Sequence, residues 1–417
     1  MHITEIEKVI NSEGLEREIR LSGKIRIGEN KSSSFTIGKT CVKGVVNIAR
    51  ENVIVDGSGA EIEGELEDST GSDWALFFLR PGARDVTLRN ITLRLRIKNG
   101  EDSRRLFCGI YNTAFGLKIE NCRIELYSDK QLKLVGVYNN GNLDTHMETR
   151  ADNLIIQNSF VKVECTPEEY AKENAVYGLY NNLANSISVQ NTFIYSRTRG
   201  NGEMQKAIGV YTNGRFGRFV GNNIKANGMH NIGKLKEQAH AYGFINEGLY
   251  SIITSNNIVG EWAGKCVGLE TKGEYAKIGS NKILATHTIC GRSVRSCGNN
   301  SVLEGNILTS TSRNARLIEH NASSCIITGN LMEVLMAREA CGSGVGIYAP
   351  WEEANKNIIK HNIIRNVRDC GIYTGPDAGL VKDNEVLSYE DTIGHSNSGD
   401  RRLAEKLDER NIRSIYE

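Results

Sequence analysis

Apolar residues along this chain fall into short alternating runs, such as NLIIQNSFVKV (153–163) and SISVQNTFIYS (186–196), parted by bends rich in Gly and Asn. Alternation of period two predicts short strands, and the Gly/Asn clusters predict the turns between them. No helical pattern alternates with the runs, so a βαβ fold is not expected. Helix is predicted only at the ends. Ile3, Ile6, Val9 and Ile10 share one helical face, which suits an N-terminal plug. Asp400 followed by RRLAEKLDER predicts a charged C-terminal helix after a loose connector over 390–399.

The runs repeat. An Asn flanked by apolar residues recurs at Asn90, Asn121, Asn158, Asn191, Asn222, Asn256, Asn281, Asn306, Asn330, Asn362 and Asn384, at intervals of 22–37 residues. A second marker, Gly-apolar-Tyr-polar, precedes it: GIYN at 109, GVYN at 136, GLYN at 178, GVYT at 209, GIYA at 346 and GIYT at 371, with GFIN at 243 and GLET at 268 as variants. Thirteen residues separate Gly178 from Asn191, Gly209 from Asn222, Gly243 from Asn256, Gly268 from Asn281 and Gly371 from Asn384. The same ruler places Ser293 and Leu317 at the Gly position of the two coils that lack the marker. Short strands repeating with a floor of 22–25 residues fit a parallel β-solenoid, in which insertions lengthen some coils. Coils then stack at about 4.8 Å, and Asn side chains at one phase form a ladder inside a bend.

The G-ϕ-Y-N and x-N-x-ϕ elements cover about residues 44–388, and with the phrase NVIVDGSGAEIEG (52–64) they resemble the right-handed parallel β-helix proteins of the pectate lyase superfamily. That resemblance implies the fold together with a range of roles, from lyases, hydrolases and epimerases to phage tailspikes and non-enzymes. Residues 1–43 are then an N-terminal cap with the first strands, and 389–417 a C-terminal connector and helix.

Composition narrows the picture. The chain has 417 residues, with 43 Gly, 41 Asn and 4 Pro; 39% hydrophobic and 24% charged content excludes a disordered chain. A net charge of +1 gives no whole-chain field for nucleic acid or anionic membranes, so neither is expected as a partner. The start has no apolar signal region and no run of 18 apolar residues exists, so a cytoplasmic protein is expected, or an exported one if a leader has been removed. Ten Cys without a C-x-x-C pair read as small buried hydrophobes, and no metal or cofactor is expected.

Candidate chemistry comes from side-chain alternation. The residues after the marker Gly are Ile110, Val137, Leu179, Val210, Phe244, Leu269, Val294, Ile318, Ile347 and Ile372, an apolar column that must face the core. The next column faces out and reads Tyr111, Tyr138, Tyr180, Tyr211, Ile245, Glu270, Arg295, Glu319, Tyr348 and Tyr373. Exposed Tyr faces suit sugar rings. Glu270 and Glu319 lie two coils apart, roughly 9–10 Å between Cβ atoms, which flexible side chains bring into the roughly 6.5–9.5 Å window of inverting glycoside cleavage. Arg295 between them suits a substrate carboxylate, and Arg292, Arg316, Lys272 and His320 add positive charge at the same level. Such a groove also suits β-elimination of a uronate, with Arg neutralising the carboxylate and Lys272, His320 or Tyr348 exchanging the proton. The plain alternative is a cross-strand ion-pair ladder.

Loop insertions at 126–135, 140–150, 164–175, 196–206 and 226–241 all belong to the first half and fit a wall ending beside Glu270; their Asp144, His146, His230, Glu237 and His240 read as exposed loop residues. The polygalacturonase motif set is absent, and YGF at 242–244 continues Ile245-Asn246-Glu247, which breaks its likeness to the alginate-epimerase motif. The expectation is a single all-β right-handed parallel β-helix of about 11 coils, with an oligo- or polysaccharide as partner and a homo-oligomer compatible with the fold. Its expected activity is cleavage of an acidic glycan by elimination. The alternatives are an inverting or transglycosylating hydrolase using Glu270 and Glu319, and a non-catalytic sugar-binding solenoid. Catalytic candidates are Glu270, Glu319 and Arg295. Binding candidates are Arg292, Arg316, Lys272, His320, Tyr211, Tyr348 and Tyr373.

Overall fold

A computed structural model describes residues 3–12, 18–26, 33–37, 40–67, 72–99, 106–130, 133–141, 151–166, 173–200, 204–230, 239–335, 343–375, 377–388, 391–395 and 412–413. Short strands wind through three sheets in a fixed cycle, so that each strand pairs in parallel with its counterpart one coil away. In one coil, Lys265–Thr271 lies in sheet C, Lys277–Gly279 in sheet A and Lys282–Thr286 in sheet B. Sheet A has 13 strands and sheets B and C have 14 each, which makes the chain a right-handed parallel β-helix. The rod has more coils than the expected 11 because its first rungs, from Glu18–Arg20 and Lys24–Arg26 onward, lack both sequence markers.

The N-terminal end is covered. Helix Ile3–Asn11 buries Ile6 and Ile10 but leaves Val9 largely exposed, so the plugging stripe is narrower than the helical wheel suggests. Ser33–Ile37 pairs antiparallel with Thr40–Ile48 and covers that edge of sheet C. At the other end Asp391–His395 forms a further strand of sheet C, where a connector was expected. The expected helix from Asp400 lies outside the described residues.

The apolar column from Ile110 to Ile372 is wholly buried and contributes to one continuous core. Inward Gly residues before it let sheets B and C approach closely. A Cβ on Gly243 would sit 2.6 Å from both Ile258 Cγ2 and the Gly268 carbonyl oxygen.

The Asn ladder forms, with one correction. Asn222, Asn256, Asn281, Asn306, Asn330, Asn362 and Asn384 stack in the bend between sheets A and B, each Nδ2 donating to the next Oδ1 at 2.9–3.0 Å. Asn90, Asn121, Asn158 and Asn191 sit one residue earlier, at left-handed φ of 48–55° on the outside of the same bend. In the coil from Gly178 an extra residue, Leu183 at φ 58°, shifts the count, so Thr192 rather than Asn191 is the partner of Asn222.

A second left-handed column precedes sheet A. It contains Asn52, Asp85, Gly116, Asn153, Ser186, Phe216, Tyr250, Tyr275, Asn300, Ser324 and Lys356, linked coil to coil by backbone hydrogen bonds. Asn, Asp and Gly are the residues that adopt this conformation readily, whereas other L side chains lose roughly 1–2 kcal/mol there.

Candidate functional site

The outer face of sheet C carries the candidate chemistry in three parallel columns. The first is the Tyr column, and its register sets Ile245 beside Glu270, Glu270 beside Arg295, Arg295 beside Glu319 and Glu319 beside Tyr348. The second runs Tyr177, Ile208, Tyr242, Val267, Arg292, Arg316 and Val345. The third runs Lys133, Ala175, Lys206, His240, Lys265, Cys290 and Asn314.

In the upper coils the Tyr residues are not open platforms. Tyr111 is 2% exposed, and Phe78, Tyr111, Tyr138 and Tyr180 pack on one another at centroid distances of 4.8–5.6 Å. The Tyr211 hydroxyl donates to Glu247 Oε2 at 2.6 Å. In the lower coils Tyr348 and Tyr373 stack at 5.5 Å, and the Arg316 guanidinium lies 3.8 Å from the Tyr348 ring centroid.

Between these aromatic segments lie the ions. Glu319 is held by three guanidiniums: Arg292 Nε, Arg316 Nη1 at 2.8 Å and Arg295 Nε at 3.3 Å. Arg292 and Arg316 are direct cross-strand neighbours, a like-charge pairing that Glu319 offsets. Glu270 contacts Lys272 Nζ at 3.4 Å and Arg295 Nη1 at 3.5 Å. Lys272 also binds Glu247 at 2.6 Å. The two central glutamates are 4% and 6% exposed, so the guanidinium heads cover them. Burial works against ionising Glu319, but hydrogen bonds and charge from Arg292 and Arg316 outweigh it, and the carboxyl titrates below its usual range. A carboxyl held ionised in this way cannot serve as the general acid of a glycosidase.

The sequence analysis missed Lys265 in the third column. No carboxylate pairs with it among the described residues. Burial, then the charges of Arg292 and Arg295, lower the pKa of its ammonium. Around it, burial and the nearby Glu270 push the Tyr242 hydroxyl up to about 12. The Tyr242 oxygen lies 3.3 Å from His240 Nδ1, and burial with Lys265 and Lys206 lowers the His240 imidazole. Five cations, Lys265, Lys272, Arg292, Arg295 and Arg316, thus meet three carboxylates, Glu247, Glu270 and Glu319.

His320 is a correction. Its strand ends at a corner, where the column Asn112, Asn139, Asn181 turns inward and bonds coil to coil, and His320 occupies that inward column at 0% exposure. It therefore does not reach the outer face. Among the described residues neither ring nitrogen has a partner at hydrogen-bond geometry, and burial lowers the imidazole to about 4. The unfolded chain takes up a proton near pH 6.5, before the folded one does. The His320 contribution to stability is then full above about pH 6.5 and declines by about 3 kcal/mol as pH falls toward 4. Denaturant titrations across this window should show a shallower decline in His320→Gln; equal slopes would remove His320 as the cause.

Of the loop residues, Asp144, His146 and Glu237 lie outside the described set, as does the side chain of His230. Among the described residues no three His, Cys, Asp or Glu side chains gather to hold a metal ion.

No family model and no curated protein matches the chain. Solved structures do. The chain is similar to the A-module of mannuronan C-5 epimerase AlgE6 of Azotobacter vinelandii, at 11% identity over 91% of each chain and a TM-score of 0.43. It is similar to a double mutant of the tailspike protein of E. coli bacteriophage HK620, at 10% identity over 91% of this chain and 70% of that one, with a TM-score of 0.47. A single mutant of that tailspike in complex with pentasaccharide gives 11% identity over 88% and 64%, with a TM-score of 0.44.

Proposed function

We propose that the protein is a carbohydrate-active enzyme that cleaves an acidic oligo- or polysaccharide by β-elimination on the outer face of sheet C. The observation that supports it is Lys265, an amine without a carboxylate partner among the described residues and with a lowered pKa, set against guanidiniums whose own counter-ions are buried beneath them. A uronate carboxylate approaching Arg292 and Arg295 is met by fork-shaped donors that neutralise it and acidify the adjacent C–H. The Lys265 amine then removes that proton. The electron pair closes a C4=C5 double bond, and the C4–O bond to the leaving sugar breaks. The leaving oxygen takes a proton from the Tyr242 hydroxyl, which burial keeps protonated, and solvent passes the proton from Lys265 back to Tyr242. In this reading Glu270 and Glu319 hold the guanidiniums in place rather than touching the scissile bond. Lys272, doubly paired and with a raised pKa, and the interior His320 leave the set of proton-exchanging groups.

The test is to mix the protein with a panel of uronate polymers and follow the ultraviolet band of unsaturated uronate alongside reducing ends. Both should rise together. Reducing ends without the band would mean hydrolysis, and binding with neither would mean a non-catalytic sugar-binding rod; either result overturns the proposal.

A further inference from the structure

Phe216, Tyr250 and Tyr275 occupy consecutive coils of the left-handed column that precedes sheet A, at φ 60°, 56° and 57°. The same position holds Asn153 and Ser186 before them and Asn300 and Ser324 after them. Three bulky rings thus replace residues suited to the backbone, and do so without gaining burial: they are 56%, 45% and 48% exposed. Their rings stack in parallel at centroid distances of 5.5 and 5.0 Å. Neither core packing nor backbone preference accounts for the substitution, and a contiguous exposed apolar stripe of this kind marks a binding surface.

Its surroundings indicate the ligand. Exposed Arg215 precedes Phe216, and exposed Arg218 and Lys277 stand two residues after Phe216 and Tyr275; none has a carboxylate partner among the described residues, and the carboxylate next to Tyr275, Glu274, accepts from Asn299 Nδ2 at 3.3 Å. Apolar ring surface edged by unpaired cations complements a chain that alternates apolar sugar faces with carboxylates. The stripe is also continuous with the cationic face, since Tyr275 follows Glu270 and Lys272 within one coil, around a single corner. We infer that Phe216, Tyr250 and Tyr275, with their flanking cations, form an accessory subsite that holds a distal segment of an acidic polysaccharide reacting on sheet C. The inference rests on the proposed substrate class but not on the elimination chemistry.

The experiment compares the wild-type protein with a triple variant, Phe216→Asn, Tyr250→Asn and Tyr275→Asn, which installs the residue type that the column holds at Asn153 and Asn300. Polygalacturonate and alginate serve as polymer probes in affinity electrophoresis, and uronate trisaccharides as short substrates. Affinity for the polymer should fall about tenfold. Trisaccharide turnover should be unchanged, and the melting temperature equal or higher once the left-handed strain is relieved. Equal polymer binding by both proteins overturns the subsite. Absence of turnover by the wild type, with polymer binding still lost in the variant, overturns the elimination reading and leaves the subsite standing.

Discussion

Lys265→Met should slow elimination of an acidic glycan by roughly 10²–10⁴-fold, the usual contribution of a positioned proton-transfer group. Affinity for the substrate should change far less, because Arg292, Arg295 and Arg316 remain. The methionine matches the length of the lysine stem and removes only the amine. The pH profile carries the sharper signature. Since burial and two neighbouring arginines depress Lys265, the ascending limb of turnover should lie below the ordinary lysine range. Loss of affinity with turnover preserved at saturation would assign Lys265 to binding alone and return the search for a base to His240 and Tyr242.

A loss of about 3–5 kcal/mol is expected for Asn306→Ala. Asn306 Oδ1 accepts from both the backbone N–H and the Nδ2 of Asn281 at 3.0 Å, and its own Nδ2 donates to the Ile278 carbonyl oxygen at 3.0 Å and to Asn330 Oδ1 at 2.9 Å. Alanine leaves two donors and a carbonyl without partners inside the rod, at about 1–3 kcal/mol each. Asn158→Gly is the contrasting variant. Asn158 sits on the outside of the bend at φ 50°, where glycine is at ease, so its unfolding midpoint should stay within a small margin of the wild type. Equal losses in the two variants would contradict the division of the asparagines into an inner ladder and an outer column.

That division shows where the sequence stops being readable. Strand alternation reports which way a side chain points, and a constant register carries that information from coil to coil. Glu270, Arg295 and Glu319 could therefore be set side by side from the spacing of Gly268, Ser293 and Leu317. Alternation does not report what lies over a side chain. The carboxylates point outward yet are covered, because the long guanidinium stems of Arg292, Arg295 and Arg316 fold across them. Corners defeat the method differently. His320 follows an outward residue and is polar, but the chain turns at that point and the polar column goes inward, satisfied elsewhere by mutual amide bonds such as Asn139 to Asn181 at 2.7 Å. The Asn191 misassignment arose where the extra Leu183 kept a 13-residue count while moving the bend. Lys265 stood outside both repeated markers, in a column whose residue type changes from each coil to the next.

The inward glycines make neighbouring coils unequal building blocks. Gly209, Gly243 and Gly268 each face a β-branched Ile224, Ile258 or Ile283, whereas the next two coils carry Ser293 and Leu317, and the register equivalents of Ile283 there are Leu308 and Met332. At the two levels that bear Arg295 and Glu319 the sheet-B wall loses the β-branch that crowds the glycine position, and the facing wall there carries a Cβ. An Ile at position 332 or a Gly at position 317 would each disturb the lining alone and fit better together. Coils of this protein are therefore not modular cassettes: deleting or duplicating the segment that carries the ionic cluster would mismatch both flanks unless the paired wall residues travelled with it.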